Sequence, residues 1–305
     1  MSSSLLTTDS NRMNGFLIVN KPTGMTSHDV VNAVRRMAGT RRVGHTGTLD
    51  PMATGVLVLA LGAATRLVQF IDGSDKAYRA TLRLGETTTT YDADGEIVER
   101  HPVTASVAEI EAALANFRGA IDQVPPMYSA IKVKGQKLYK LARQGKEIAR
   151  APRPVTIHRL DVLAWALPDL TIDVVCSAGT YIRSLAHDLG QTLGCGAHLI
   201  ALTRIAAGKF RLEEAHTLEA LRALAETERL AEALLPPQTA LAGLPVIILT
   251  PEQEQAVGYG QTLPLDAPPE TAMIQAHDNT GQLVAVLIPV EPGMWRPKLV
   301  FKSAD

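Results

Sequence analysis

Cysteine is scarce in this chain. Cys176 and Cys195 are the only two among 305 residues. They lie too far apart for a Cys-x-x-Cys pair and are too few for a zinc site. That usage fits a reducing compartment, so the expectation is a cytoplasmic protein with no metal. His28, His158, His187, His198 and His216 add no metal-ligand spacing. Long apolar runs are also missing: the longest, about Val56 to Ala64, falls well short of the roughly 20 residues a membrane span needs. Met1 to Asn14 has no basic-then-apolar signal pattern, and residues 1–13 read as a flexible tail. Neither a Gly-x-Gly-x-x-Gly loop nor a Gly-Lys-Ser/Thr phosphate loop occurs, so no nucleotide cofactor is expected.

Net charge is nearly absent too, at −1, but it is unevenly spread. Residues 1–210 hold 24 Lys+Arg against 18 Asp+Glu, while 211–305 hold 6 against 13. Within 132–159 nine basic residues face a single acid, Glu147. Such asymmetry fits a polyanionic partner for the first part, and a solvated charged face is the plainer alternative.

The patterning mixes strands and helices without a regular βαβ beat. Phe16 to Val19 predicts a buried strand. Thr26 or Ser27 can cap a helix with Val30, Val31, Val34 and Met37 on one face, ending at Gly39. Val56 to Leu61 is apolar on both faces, as in a central strand. Tyr78, Ala80, Leu82 and Leu84 alternate with Arg79, Thr81 and Arg83, which predicts a half-buried strand. Ser106 and Glu109 form a capping-box signature before Ile110, Leu114 and Phe117, with Gly119 as the stop. Another strand is expected over about Leu170 to Cys176, a helix from Tyr181 to Leu193, and a helical, acidic stretch from Thr217 to Leu235. Short apolar runs separated by turns then predict a β-rich module over 245–305. The fold class expected is α+β, with a central mixed or antiparallel sheet and flanking helices.

Chemistry points to the Gly-punctuated stretch Gly44-His45-Thr46-Gly47-Thr48-Leu49-Asp50-Pro51-Met52-Ala53-Thr54-Gly55. Glycines allow close backbone approach to a ligand, and Pro51 keeps Asp50 extended. One carboxylate therefore stands at the tip of a turn, unless the turn is purely structural and Asp50 a cap. With this loop go Leu17-Ile18-Val19-Asn20-Lys21-Pro22-Thr23-Gly24-Met25-Thr26-Ser27, Lys76-Ala77-Tyr78-Arg79-Ala80, Gln123-Val124-Pro125-Pro126-Met127-Tyr128-Ser129-Ala130 and Gly179-Thr180-Tyr181-Ile182-Arg183-Ser184-Leu185-Ala186. In register over about 14–210, these segments resemble the TruB-type tRNA pseudouridine synthases.

That resemblance implies the pseudouridine synthase fold over 14–240, a basic thumb insertion at about 126–154, and a PUA-like β domain over 245–305. It implies an isomerase that turns uridine 55 of the tRNA T loop into pseudouridine by base flipping, as a monomer and without a cofactor. By motif match Asp50 is the catalytic carboxylate, Arg183 its guanidinium, and Tyr78 the ring that stacks on uracil, its hydroxyl being the base for the C5 proton. His45 would fill the gap left by flipped bases, while Tyr181 and Leu202 would line the pocket. Lys21 would either brace the Asp50 loop or meet phosphate. Lys132, Lys134, Lys137, Lys140 and Arg143 would grip the RNA backbone. Two departures stand out. Thr203 replaces an arginine in Leu202-Thr203-Arg204, and Thr90-Tyr91 interrupts a usually Asp-rich loop.

Two other classes compete. A non-catalytic tRNA-binding or folding chaperone would not need a buried acid facing an anionic ligand. A glycoside or nucleoside hydrolase normally uses two carboxylates, and no second acid stands out near Asp50 in the sequence.

Overall fold

The computed structural model describes residues 13–301 apart from 72, 130–131, 134–135, 139–141, 143–147 and 269, and of 132–133 and 136–137 it describes the backbone only. Its largest unit is a nine-stranded sheet. The main path runs Gly15–Lys21, Thr54–Leu61, Ala197–Ala207, Lys76–Leu84, Asp169–Cys176, Arg153–Ala166 and Gly119–Gln123. Val43–His45 joins beside Thr54–Leu61, and Phe210–Arg211 beside Ala197–Ala207. Pairing is antiparallel except between Ala197–Ala207 and Thr54–Leu61, where Thr203 meets Thr54 and Arg204 meets Gly55 in parallel. The sheet is therefore mixed, with its one parallel seam beside the Asp50 loop.

Local sequence explains the elements that frame this seam. Helix Ser27–Ala38 starts in a full capping box between Thr26 and Asp29 and ends at left-handed Gly39, as its sequence predicts. Val30, Val31 and Val34 from its inner face join Tyr78, Ala80, Leu82 and Leu84 in the main core. Helix Val107–Ala115 has the expected box between Ser106 and Glu109. Helix Ile182–Thr192 buries Leu185, Ala186 and Leu189 in the same core. The other face of the outer strands carries Phe16, Ile18, Val56, Val58 and Ala60, which pack with Leu241 of the 3₁₀ turn Pro237–Leu241 and with Leu283 and Val286 of the C-terminal part. That part is a five-stranded sheet.

One expectation needs correction. Thr217 to Leu235 is not one helix: Leu218–Glu226 is α-helical, Glu228 turns left-handed at φ 59, and Leu230–Ala233 resumes as a 3₁₀ turn. With this break, Leu230 and Ala233 join Leu218 and Leu221 in the main core. The C-terminal module also contains a helix, Pro251–Gly258, entered through a capping box between Thr250 and Gln253. Its single buried apolar residue, Val257, leaves no periodic stripe to read from sequence.

Candidate active site

The loop from Thr46 to Ala53 is pinned from every side through its backbone. Ser27, the first residue of its helix, accepts from the Leu49 amide at 2.8 Å and donates to the Leu49 carbonyl at 3.0 Å. The Gly24 amide donates to the Pro51 carbonyl at 2.8 Å, and Thr23 Oγ1 to the Met52 carbonyl at 3.2 Å. From the far side Arg204 donates to the carbonyls of Val56, Thr48 and Gly47 at 2.6, 3.4 and 3.1 Å. The parallel seam makes that reach possible. Gly55, at φ +97, carries no Cβ where one would collide with the Arg204 carbonyl, so the two strands can close up. Gly55 thus serves chain packing here.

Lys21 is fully buried. Its Nζ donates to the carbonyls of Pro22, Met25 and Pro51 at 2.8, 2.6 and 3.2 Å. All three protons are committed to protein, the geometry of a brace rather than of a phosphate contact. Burial pulls its pKa down to about 8, with Asp50 opposing that shift. Lys21→Met would strand these carbonyls and should cost roughly 1–3 kcal/mol in unfolding experiments at neutral pH. Lys21 holds its proton more readily in the unfolded chain, where the ordinary value is 10.5. Rising pH therefore favours the fold through this group between about pH 8 and 10.5, and that contribution is lost as pH falls through about 8. Wild-type stability minus that of Lys21→Met should climb across this window; a flat difference would refute the assignment.

Asp50 meets Arg183, brought from 133 residues away by the start of helix Ile182–Thr192. Arg183 Nη2 donates to Asp50 Oδ1 at 3.1 Å. Nε lies 2.9 Å from Oδ2 but off the N–H direction, without a hydrogen bond, so that contact is Coulombic. The guanidinium also donates to the carbonyls of Tyr128 at 2.8 Å and Thr90 at 3.3 Å. Its Nη1 sits 3.4 Å from a second acid, Asp92. Side-chain exposure separates the partners: Arg183 is 5% exposed and Asp92 6%, while Asp50 remains 33% open. One buried cation thus stands between a buried carboxylate and an accessible one. The arrangement keeps a single anion facing solvent at a fixed place, which suits nucleophilic or acid–base work.

Around this pair the remaining sequence-derived residues fall as follows. Tyr78 is buried on its strand. Burial pushes its hydroxyl above the ordinary tyrosine range, and Arg204 pulls it part of the way back. Asp50 is among the charges that hydroxyl feels. Tyr181 caps the helix bearing Arg183; its hydroxyl too is raised by burial, with Arg183 and Asp50 both acting on it. Leu202 is buried in the main core, and its carbonyl accepts from Thr54 at 3.4 Å. His45 Nδ1 accepts from the Gly47 amide at 3.3 Å, which orients the ring within the loop. Lys134, Lys140 and Arg143 lie outside the described residues, as do the side chains of Lys132 and Lys137.

Five contributors were not assigned to the site from the sequence. Asp92 is the second acid that sequence reading did not find. Arg204 braces the loop, and Thr203, in place of an arginine, instead pairs its hydroxyl with Thr54 at 2.9 Å. Gln123 locks the entry to the Arg183 helix, accepting from the Tyr181 amide at 2.8 Å and donating to its carbonyl at 3.0 Å. Ser27 looked like a helix-capping residue. Gln123 and Ser27 stand at the ends of segments that carry the resemblance, Thr203 and Arg204 in its Leu202-Thr203-Arg204 departure, and Asp92 beside Thr90-Tyr91, so position gave a signal for each but not its role.

Comparison with known proteins gives the family of the chain. Residues 35–182 match the model described as TruB family pseudouridylate synthase (N terminal domain), and 183–242 match that of the tRNA pseudouridylate synthase B C-terminal domain. A protein named tRNA pseudouridine synthase B from Syntrophotalea carbinolica is 52% identical over 252 residues, covering 81% of each chain. One of the same name from Pseudomonas aeruginosa is 43% identical over 294 residues, covering 95% of this chain and 97% of the relative. Among solved structures, an archaeal box H/ACA sRNP Nop10-Cbf5 complex superposes with a TM-score of 0.71 at 26% identity, over 96% of this chain and 87% of the other. A Cbf5-Nop10-Gar1 complex gives 0.69 at 29%, over 91% and 78%.

Proposed function

The chain belongs to the TruB family of pseudouridylate synthases, a family of isomerases, and from that premise we propose that it converts uridine 55 in the T loop of tRNA to pseudouridine. The observation that carries this reading is the half-open Asp50 carboxylate, held by a buried Arg183. The isomerisation breaks N1–C1′, turns the base and joins C5 to C1′. All atoms stay in one molecule except the C5 proton, which leaves for solvent and is replaced at N1.

Each residue has a task in that sequence. The uridine must leave the RNA stack at a cost of a few kcal/mol, and Tyr78 can return roughly 1–3 kcal/mol by stacking. His45 occupies the vacated space, while Leu202 and Tyr181 close the pocket around the base. Asp50 acts on the sugar or the uracil ring, as nucleophile or as acid and base. Tyr78 rests as a neutral phenol, so it takes the C5 proton only while passing its own toward Asp50 or water. Arg204, whose charge lowers that hydroxyl's pKa, favours the transient phenolate. The basic segment 126–154, including Lys132, Lys134, Lys137, Lys140 and Arg143, supplies the phosphate contacts as a thumb. The part over 245–305 serves as a PUA-like RNA-binding module, and the protein works as a cytoplasmic monomer.

The test uses an unmodified T-arm stem–loop carrying C5-tritiated uridine. Tritium released with pseudouridine as product supports the reading; binding without release would favour a tRNA chaperone, and free uracil a hydrolase. Within this scheme Tyr78→Phe keeps the ring and loses the relay. It should bind the stem–loop normally and turn over about 10²–10⁴-fold more slowly, the usual worth of general base catalysis. Full turnover by that variant would reduce Tyr78 to a stacking face.

A further inference from the structure

Tyr91 is the residue that interrupts the expected acidic loop, and it sits in an unusual conformation. Its φ of +64 is left-handed, a region that a bulky side chain occupies only when its surroundings over-determine it. The loop around it is tightly knit. Thr88 Oγ1 donates to the Asp92 carbonyl at 2.7 Å, the Asp94 amide to the Asp92 carboxylate at 3.1 Å, and Thr90 Oγ1 to the same carboxylate. The Leu199 amide donates to the Tyr91 carbonyl at 3.0 Å, tying the loop to the main sheet.

The aromatic ring has a definite partner. Tyr91 stacks on His187 with centroids 3.8 Å apart and planes 10° from parallel. His187 follows Arg183 by four residues on the same helix, one turn further along the same face. The loop therefore touches that face at two successive turns. At the first, the Thr90 carbonyl and Asp92 hold Arg183 Nη1. At the second, the Tyr91 ring lies flat on His187. Among the described residues His187 Nδ1 is buried without a hydrogen-bond partner, so no bond at that nitrogen competes with stacking to orient the ring.

We infer that the Tyr91–His187 stack is a clasp that positions Arg183, and through it Asp50, for the isomerisation proposed above. Neither ring touches the reacting atoms; both are positioning residues. Without the stack, the left-handed backbone at Tyr91 relaxes. The Thr90 carbonyl and Asp92 then shift away from Nη1, and the guanidinium is free to swing from the geometry in which Nη2 meets Asp50. Binding of RNA, which depends on other surfaces, is left in place.

Steady-state tritium release from the T-arm stem–loop tests this on Tyr91→Ala, Tyr91→Gly, Tyr91→Phe, His187→Ala and His187→Phe, with thermal unfolding to verify the fold. Both alanine variants should lose about 10–100-fold in kcat with KM within about threefold, the effect of a displacement near 1 Å at the chemistry. Phenylalanine at either position retains a stacking ring and should restore kcat to within about threefold of wild type. Tyr91→Gly relieves the backbone yet lacks the ring, so it should behave like Tyr91→Ala. Undiminished kcat in either alanine variant, a loss confined to KM, or failure of both phenylalanine variants overturns the clasp and leaves the reaction assignment standing. If wild type itself releases no tritium, the reaction assignment is what fails. The clasp is then judged by solvent exchange of the Arg183 Nε proton: slow in wild type and Tyr91→Phe, about tenfold faster in Tyr91→Ala if it exists. Equal exchange in all three rejects it.

Discussion

Asp50→Asn should bind the T arm as wild type does and release its C5 tritium at least about 10³-fold more slowly, in keeping with the loss on removing a nucleophile or its base. The substitution is nearly isosteric, and the contacts that pin the loop do not use this side chain. Ser27 holds Leu49, Lys21 and Gly24 hold the Pro51 carbonyl, and Arg204 holds Gly47 and Thr48. Arg183 keeps its contacts to Asp92, Thr90 and Tyr128. Fold and RNA affinity are therefore preserved while the one accessible anion is gone. Thermal unfolding, gel-shift binding and tritium release separate the three properties. Release within tenfold of wild type would remove Asp50 from the chemistry.

Arg183→Met should be more damaging, because it fails in stability as well as in turnover. It leaves the Asp92 carboxylate buried beside Asp50 with no cation between them, and it strands the carbonyls of Thr90 and Tyr128. Breaking a buried pair by removing one partner costs about 3–5 kcal/mol, a large part of the 5–15 kcal/mol typical of a folded domain. Arg183→Lys separates the two effects. It restores a positive charge and should recover most of the stability, but an ammonium on one stem cannot serve two carboxylates and two carbonyls at once. Turnover should therefore stay at least about 10²-fold down, the scale for losing a preorganised electrostatic contact. A lysine variant as active as wild type would mean that charge alone suffices and the fork geometry does not matter.

Much of the local structure was legible in the sequence. Thr26 with Asp29, and Ser106 with Glu109, close capping boxes within three residues. The alternation from Lys76 to Leu84 places Tyr78 on the core side with Ala80 and Leu82. These signals are local, acting over one helical turn or one strand pleat. Where neighbours in space override them, the reading fails: the left-handed turn at Glu228 splits a stretch whose composition is helical throughout.

By itself, then, the sequence determined the α+β class, the family resemblance, and Asp50, Tyr78 and Arg183 as the residues to watch. Tertiary structure alone decided how they are held. Arg183 reaches Asp50 across 133 residues, and Arg204 reaches Val56 across 148. Asp92 joins them from the loop that Thr90-Tyr91 marks as a departure in the sequence. Contacts at such separations depend on which strands lie side by side, above all on the parallel seam at Thr54 and Thr203. No periodicity along the chain encodes that pairing, because its free energy comes from burying the whole sheet at once.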